Sequence, residues 1–353
     1  MNNKSLVCTE PGSFKYVEEQ LIVDNHHRHE DDSPARALLR VLQVGICGTD
    51  LHAFEGTQPY FQYPRILGHE ICAEIIEVPA GTGFRAGQQV TLVPYFSCGT
   101  CIACRNNKPN CCTSIQVFGV HIDGGLRHYI EVPVAALIAG EDLNADQLAL
   151  TEPLAIGAHA VRRADLRPDE WALIMGAGPI GLGLMEMARL RGGRVIALDI
   201  NSTRLQFCRE QLGVEHCINP AELKDGSGIN DVLRDLTAGD MPTAVFDATG
   251  YLGAIEKGID YLAHGGRYTL VGLQKQPIPI LHPEFHKREA TLMSSRNATR
   301  DDFLWVMESL RNNKIRPSAY ITHRLAFEDL ADQFPALLDP ANGVIKAMVE
   351  FRL

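Results

Sequence analysis

The 353-residue chain has no uninterrupted hydrophobic run long enough to cross a membrane. A bilayer span needs about 20 consecutive apolar residues. The longest apolar stretch here, 171–188, is interrupted by glycines, a proline and Glu186. The N-terminal segment also has no apolar core of the kind that a signal peptide requires. We therefore expect neither a membrane anchor nor secretion, and we expect the protein to act in the cytoplasm.

Positive charge is not in surplus either. The 33 lysines and arginines are outnumbered by 43 aspartates and glutamates, so the formal net charge is −10. An acidic surface repels phosphate groups, and this disfavours nucleic acid or an anionic membrane as a partner. The sequence contains no internal repeat and no low-complexity tract. The length, with 45% hydrophobic and 22% charged residues, is typical of a globular enzyme of two domains.

Residues 1–150 consist of short β-like runs separated by glycine and proline. Examples are the runs at 37–44, 71–78 and 89–95, and another strand-like run lies near the end of the chain at 344–351. Helical periodicity is scarce in the first 150 residues. The pattern predicts a mostly β domain with long loops.

A different pattern begins near residue 171, where apolar strands alternate with glycine turns and amphipathic helices. Such alternation predicts an α/β domain with a doubly wound parallel sheet. The predicted strands lie at 171–175, 194–199, 244–249 and 267–273, and the predicted helices lie near 180–190 and 202–213.

Four cysteines within fifteen residues form the most specific local pattern, namely Cys98, Cys101, Cys104 and Cys112. Four thiolates this close can surround one zinc ion in a tetrahedron, which is a structural site because no coordination position stays open. A disulfide pair or a reactive CxxC motif is the alternative. Ten cysteines in a long chain without a secretory leader favour a reducing compartment and metal binding. The adjacent Cys111 is a second candidate for the fourth ligand.

A second metal site is indicated upstream, in the segments GICGTDLH at 45–52 and GHE at 68–70. Cys47, His69 and a carboxylate such as Glu70 would make a three-ligand zinc site with one open position. Zinc with an open position acts as a Lewis acid and lowers the pKa of an alcohol. The sequence therefore predicts a catalytic zinc in addition to the structural one.

The run MGAGPIGLG contains a dinucleotide-binding pattern that follows an apolar strand and opens a helix. Its members are Gly176, Gly178, Pro179, Ile180 and Gly181. Asp199 ends the next strand, where its carboxylate can accept hydrogen bonds from the adenine ribose and repel a 2′-phosphate. This favours NAD over NADP, although the nearby Arg204 keeps NADP open. A glycine turn that holds no ligand is the bland alternative.

The segment 24–36 carries three histidines and four acidic residues. An accessory metal site would be a functional interpretation. We favour a solvated surface loop between two strands, because no apolar neighbours are present to hold ligands rigid.

Taken jointly, these motifs closely resemble those of the zinc-dependent medium-chain dehydrogenases, the family of alcohol, sorbitol and threonine dehydrogenases. The resemblance extends through most of the chain and includes TEPLAIGAHA at 151–160. It is strongest toward the sugar-acid and polyol branch. That part depends on QPYFQYPRILGHE at 58–70, VFGVHIDGG at 117–125 and PEFHKREATLMSSRNAT at 283–299.

The resemblance implies a GroES-like zinc-binding catalytic domain at 1–151, with residues 290–353 returning to it. It implies a Rossmann NAD-binding domain at 152–289. It further implies two zinc ions per chain, one catalytic and one structural, and a homodimer or homotetramer.

Roles at the catalytic zinc follow from the matching positions. Cys47 and His69 would be ligands. Glu70 matches a glutamate that binds the metal directly in some members of the family and lies just behind it in others. Glu152, in TEPL, matches the position of a further acidic ligand, which sometimes acts through water. Which of the two glutamates completes the metal shell stays open.

Three residues near the first ligand match supporting positions. Asp50 would orient the imidazole of His69. Thr49 would start the proton relay, with a simple turn residue as the alternative. His52 would be the next relay member or an ordinary surface histidine. His159, on a predicted helix of small apolar residues, is interpreted as packing.

Substrate contacts are less specific. Arg296 resembles an arginine near the substrate in sorbitol dehydrogenase relatives, and a guanidinium can bind a carboxylate through two parallel hydrogen bonds. Phe118 and His121 match a stretch that borders the substrate cleft. Further candidates are His286 and Lys287 near the substrate and Lys346 near the cofactor.

These expectations combine into a zinc-dependent dehydrogenase that passes hydride from a secondary hydroxyl of a sugar acid or polyol to NAD. L-Galactonate, oxidised at its fifth carbon to tagaturonate, is the favoured substrate by resemblance. A neutral polyol such as sorbitol, or threonine, is the alternative. A non-catalytic nucleotide-binding protein is a remote alternative, since such a protein would not require a zinc site with an open coordination position.

Overall fold

The computed structural model describes residues 1–21, 34–59, 61–223 and 228–352. It divides into two compact units, Met1–Glu152 with Thr299–Leu353, and Pro153–Ala298. Of the histidine-rich segment, residues 24–33 lie outside the described residues. The described helices include none that is long and apolar enough to cross a membrane.

The strands, in chain order, are β1 Asn2–Glu10, β2 Ser13–Gln20, β3 Arg36–Ile46, β4 Arg65–Ile66, β5 Glu70–Glu77, β6 Gln89–Leu92, β7 Tyr95–Phe96, β8 Gln116–Val117, β9 Tyr129–Pro133, β10 Leu137–Ala139, β11 Trp171–Met175, β12 Arg194–Leu198, β13 His216–Ile218, β14 Ala244–Asp247, β15 Arg267–Leu270, β16 Thr291–Ser294, β17 Ile321–Ala326 and β18 Lys346–Glu350. The helices are α1 Gly48–Phe54, α2 Ile102–Arg105, α3 Ala145–Arg163, α4 Pro179–Leu190, α5 Ser202–Glu210, α6 Ile229–Leu236, α7 Leu252–Gly258, α8 His282–Lys287, α9 Arg300–Arg311, α10 Pro317–Tyr320 and α11 Leu330–Gln333.

The first unit is mostly β, as the sequence predicts. Its main sheet has the order β10-β6-β5-β3-β18-β17, with β9 also paired to β3. Smaller sheets join β2, β1 and β4, and β7 with β8. Alternating apolar residues of β3 and β5, such as Leu39, Val44 and Ile75, are fully buried in its core. Strand β18 pairs with β3, so the end of the chain lies beside the segment that leads into α1.

The second unit is a doubly wound parallel sheet with the strand order β13-β12-β11-β14-β15-β16. Its strands read as continuous apolar runs because helices cover such sheets on both faces. In β11, for example, Leu173 and Ile174 are fully buried. The order reverses beside β11, and ligands of such sheets bind outside the carboxyl ends of the strands at that point. The predicted α/β fold class is confirmed.

The return to the first unit occurs later than the sequence predicts. The expected start at residue 290 is wrong because β16, Thr291–Ser294, pairs in parallel with β15 and is an edge strand of the second unit. The structure divides the chain at Ala298 and Thr299 instead. The other division falls after Glu152, inside helix α3.

Candidate active site

Helix α1 and the turn before β5 bring Cys47 and His69 together. Cys47 is the N-cap of α1. The carboxylate of Asp50 accepts hydrogen bonds from the backbone N–H of Cys47 at 2.9 Å and of Gly68 at 3.1 Å. One carboxylate therefore holds the first turn of the helix against the loop that carries the histidine.

Gly68 is required at this loop for two reasons. Its φ of +90° lies in the left-handed region, and a Cβ there would come within 2.9 Å of the Val44 side chain. The following His69 is buried, and its Nδ1 lies 3.8 Å from Asp50 Oδ1. Asp50 therefore lies next to the imidazole of His69, but the distance of 3.8 Å between the two atoms is too long for a hydrogen bond.

The three predicted donors form one group. Ligand atoms of Cys47, His69 and Glu70 all lie within 4.8 Å of one another. Thiolate, imidazole and carboxylate are the donors that zinc takes in catalytic sites. The buried Nδ1 of His69 has no hydrogen-bond partner among the described residues. These residues fit a zinc ion by donor chemistry and by this unsatisfied ring nitrogen.

The electrostatics of the group favour a cation. Burial alone would lower the pKa of His69, but Asp50 and Cys47 together raise it well above its usual value. Burial raises the pKa of Asp50, against the opposing effect of His69. The negative groups that would hold a proton on the imidazole would equally stabilise a bound metal cation.

Glu70 is fixed from one side by a buried lysine. Lys346 Nζ donates to Glu70 Oε1 at 2.6 Å, to Glu70 Oε2 at 2.7 Å and to the carbonyl oxygen of Ile46 at 3.0 Å. Glu70 is fully buried and Lys346 is 3% exposed. These bonds use the three N–H donors of Lys346 within the first unit, and the expected contact with the cofactor stays a prediction. A Cβ at Gly45 would overlap the Glu70 carboxylate, so glycine is required there.

Glu152 lies on α3 and is 3% exposed. Its Oε1 accepts a hydrogen bond from the hydroxyl of Tyr95, a residue that the sequence reasoning missed. Burial raises the pKa of Glu152, and the nearby His69 opposes that rise. Glu152 is not part of the group within 4.8 Å, although it acts electrostatically on His69. A tyrosine in an apolar strand needs a partner for its hydroxyl, and this was the signal available in the sequence.

The two residues of the predicted proton relay, Thr49 and His52, are not hydrogen-bonded to each other. Thr49 is half-buried in the first turn of α1, and its hydroxyl makes no hydrogen bond to any described residue. His52 is exposed, and its Nδ1 lies 3.0 Å from Thr57 Oγ1 and 3.4 Å from Glu55. The two side chains share no hydrogen bond, so a relay from Thr49 to His52 stays a prediction.

The four-cysteine group forms as the spacing predicts. The Sγ atoms of Cys98, Cys101, Cys104 and Cys112 all lie within 4.8 Å of one another. Every cysteine in the described part of the chain is free, so the disulfide alternative is not supported. Cys111 is exposed and lies outside the group, which favours Cys112 as the fourth ligand. Hydrogen bonds lower the pKa of Cys101 to about 5 and of Cys98 to about 7, so these two thiolates form readily, whereas burial raises the pKa of Cys104 to about 11.

The glycine-rich turn in the second unit has the geometry of a phosphate cradle. Gly176 has a φ of +98°, and a Cβ at Gly181 would overlap the carbonyl oxygen of Gly176. Gly178 is the N-cap of α4, Pro179 occupies the first helical position, and Ile180 follows it. The free N–H groups at this helix end and the helix dipole favour a pyrophosphate.

Asp199 organises the same turn. Its Oδ2 accepts from the backbone N–H of Ala177 at 2.6 Å, and its Oδ1 accepts from Asn201 at 2.8 Å. Arg204 lies close to the turn, with its Nη1 at 3.9 Å from the position of a Cβ at Gly178. A negative and a positive side chain thus flank the turn, as the sequence reasoning expects.

The predicted substrate residues are not brought into one group. Phe118 is 2% exposed and packs on Phe96, so its ring is part of the core, and a substrate contact by this residue stays a prediction. His121 is half-buried, and its Nδ1 accepts from the backbone N–H of Val117. Arg296 is exposed after β16 in the second unit.

The remaining histidine and lysine candidates have local roles. Lys287 pairs with Glu284 at 2.6 Å, and the His286 ring contacts His282, all on α8. His159 is 8% exposed within α3, consistent with packing.

Comparison with known proteins matches both parts of the chain. Residues 33–142 match the family model of the alcohol dehydrogenase GroES-like domain, and residues 179–312 match that of the zinc-binding dehydrogenases. The L-galactonate-5-dehydrogenase of Escherichia coli K12 is 38% identical over 347 residues, which cover 98% of each chain. The 2-dehydro-3-deoxy-L-galactonate 5-dehydrogenase of Pseudoalteromonas atlantica is 31% identical, covering 88% of this chain and 90% of its own. Among solved structures, a short chain alcohol dehydrogenase from Escherichia coli CFT073 complexed with NADH superimposes with a TM-score of 0.87, at 27% identity and 99% coverage of both chains.

Proposed function

The chain belongs to the zinc-binding dehydrogenase family, and we propose that it oxidises a secondary hydroxyl of a sugar acid with NAD as acceptor. L-Galactonate, oxidised at its fifth carbon to tagaturonate, is the proposed substrate. The observation that carries the proposal is the group of half-buried Cys47 with buried His69 and Glu70, whose donor atoms lie within 4.8 Å of one another. A catalytic zinc fits this group, and a structural zinc fits the four cysteines.

The residues of the chain divide the work of the reaction. Zinc bound at Cys47 and His69 would supply Lewis acidity, which lowers the pKa of an alcohol. Asp50 holds Cys47 and the His69 loop in register through its two backbone hydrogen bonds. Thr49 accepts the hydroxyl proton of the substrate on its Oγ1 and passes its own proton toward solvent. A bound nicotinamide would supply the hydride acceptor.

NAD is the proposed form of the cofactor. Both oxygens of Asp199 accept backbone N–H bonds, so the carboxylate is held in place at the end of β12. A fixed negative charge beside the adenine ribose repels a 2′-phosphate. Arg204 is the residue that would support NADP.

A sugar acid is preferred over a neutral polyol because both curated relatives described above are named for sugar-acid substrates. The carboxylate of such a substrate needs a cation, and we propose Arg296 for this role. Threonine and sorbitol are the competing substrates. Arg296→Ala should weaken oxidation of an acidic substrate more than that of sorbitol.

The function is tested by following NADH or NADPH formation with L-galactonate, sorbitol and threonine, before and after chelation of metal. We expect turnover on L-galactonate with NAD that chelation abolishes. A Cys47→Ala variant should lose turnover and retain NAD binding, because Cys47 belongs to the first unit and the glycine-rich turn proposed to bind NAD belongs to the second. Activity that survives in Cys47→Ala would contradict the metal mechanism. NAD binding without turnover on any alcohol would favour a non-catalytic role.

We also propose a homodimer or homotetramer that acts in the cytoplasm, where a reducing environment keeps the clustered cysteines available for zinc. Within the described residues β16 has a partner on one side only. The preceding segment exposes Leu273 and Leu281 at 59% and 68%. An edge strand beside exposed apolar side chains is suited to pairing with a second copy. Light scattering would give the mass in solution.

A further inference from the structure

We propose that Tyr95 is a positioning residue of the catalytic metal site. Its hydroxyl holds one oxygen of the Glu152 carboxylate and leaves the other oxygen for the metal or for a water on the metal. The inference depends on the proposed function, because it concerns the same zinc site. It also assigns different tasks to the two buried glutamates.

The two glutamates differ in how their charges are compensated. Both oxygens of Glu70 accept from the ammonium group of Lys346, at 2.6 and 2.7 Å. Glu152 has one described hydrogen bond, from Tyr95 to Oε1. Glu70 is therefore paired with a cation inside the protein. Glu152 is the carboxylate with an oxygen that no described residue uses.

A buried carboxylate with an unused oxygen is costly unless a proton or a metal compensates it. Glu152 is 3% exposed and interacts electrostatically with His69, so it borders the donor group without belonging to it. A movement of its side chain, or an intervening water, would then be needed to connect it to a metal held by Cys47 and His69. The side chain must then be prevented from adopting other rotamers.

Tyr95 is suited to this restraint because its ring cannot move freely. The residue is 8% exposed in the short strand β7, which pairs with β8. Its ring meets the fully buried ring of Phe303 edge to face, with centroids 6.4 Å apart. A rigid ring fixes the position of the hydroxyl and, through it, of Glu152 Oε1. Groups that orient metal ligands in this way affect metal affinity without touching the metal.

The test measures metal affinity in the absence of substrate. Wild-type protein, Tyr95→Phe, Glu152→Gln and the double variant would be loaded with Co²⁺, and the affinity of the site would be obtained by competition with a chelator. Cys47→Ala identifies the signal of this site, because the four-cysteine site does not depend on it. Tyr268→Phe is the matched control: it removes a buried hydroxyl that donates to the Ile255 carbonyl in the other unit.

We expect Tyr95→Phe to weaken Co²⁺ binding by about 10- to 100-fold, the usual effect of losing a group that orients a ligand. Tyr268→Phe should leave the affinity unchanged. Glu152→Gln should weaken binding at least as much. In the Glu152→Gln background the Tyr95→Phe change should have little further effect, because the two act through one carboxylate.

Three results would overturn the inference. Tyr95→Phe could bind Co²⁺ as wild type does, Glu152→Gln could be silent, or the two effects could add fully. Phe keeps the ring packing on Phe303, and Glu152→Gln tests the carboxylate independently if Tyr95→Phe fails to fold. Turnover on L-galactonate with unchanged Co²⁺ affinity in Tyr95→Phe would refute the role of Tyr95 alone. A wild-type protein without Cys47-dependent metal binding would refute the proposed function itself.

Discussion

Replacing Lys346 by methionine should destabilise the first unit strongly. The change removes the ammonium group that donates to both oxygens of Glu70 and to Ile46 O. Glu70 is fully buried, so water cannot replace the lost cation. Removing one partner of a buried ion pair costs about 3–5 kcal/mol. This corresponds to a loss of about 100- to 4,000-fold in the folding equilibrium constant, at a factor of ten per 1.4 kcal/mol.

The assay is urea unfolding of metal-free protein, with the free energy of unfolding compared between wild type and Lys346→Met. Lys287→Met is the matched control, because Lys287 pairs with Glu284 at a similar distance but is 52% exposed. An exposed pair contributes about 0–1 kcal/mol. The double variant Lys346→Met with Glu70→Gln should recover part of the loss, since it no longer buries an unpaired charge. A Lys346→Met protein as stable as the Lys287→Met control would refute the reasoning.

Two further predictions concern other parts of the chain. Gly181→Ala should abolish NAD binding, because the added Cβ would overlap the carbonyl oxygen of Gly176 and distort the turn before α4. Calorimetric titration with NAD measures this binding. An unchanged affinity for NAD would contradict the proposed phosphate-binding geometry of the turn. Burial lowers the pKa of His128 below its usual 6.5, and the positive charge of Lys4 lowers it further. The negative charges of Glu328 and Glu18 oppose this decrease. The unfolded chain therefore binds the proton more tightly, so stability from neutral His128 is complete above about pH 6.5 and decreases as the pH falls toward the lower folded pKa. His128→Phe should show a weaker loss of unfolding free energy on acidification than wild type, and identical pH profiles would contradict this.

Most of the architecture follows from local sequence patterns. The run at 171–175 is strand β11 as predicted, and helix α4 begins one residue before the expected range. Buried parallel strands are continuous apolar runs, so their signal does not depend on distant residues. The short edge strand β16 is an exception, because it belongs to the second unit and not, as the resemblance implies, to the first. Its four residues carry no pattern that distinguishes one sheet from the other.

Some of the candidate sites can likewise be predicted from local sequence, and others cannot. The four cysteines lie within fifteen residues, and their spacing alone predicts the group that the structure shows. The glycine turn and Asp199 are also close in sequence, and their hydrogen bonds follow from the strand–turn–helix unit. The choice of Cys112 over Cys111 needed the fold, because adjacent residues point in different directions.

Sequence patterns suffice to predict the sites whose members lie near one another along the chain, because a short loop or one βα unit assembles them. The environment of the two glutamates depends on the tertiary fold. Lys346 reaches Glu70 across 276 residues, and Tyr95 reaches Glu152 across 57. Spacing carries no information at such separations, since the contacts depend on which strands pair and which side chains those strands bury. The physical reason is that a buried charge must find its partner wherever packing places one.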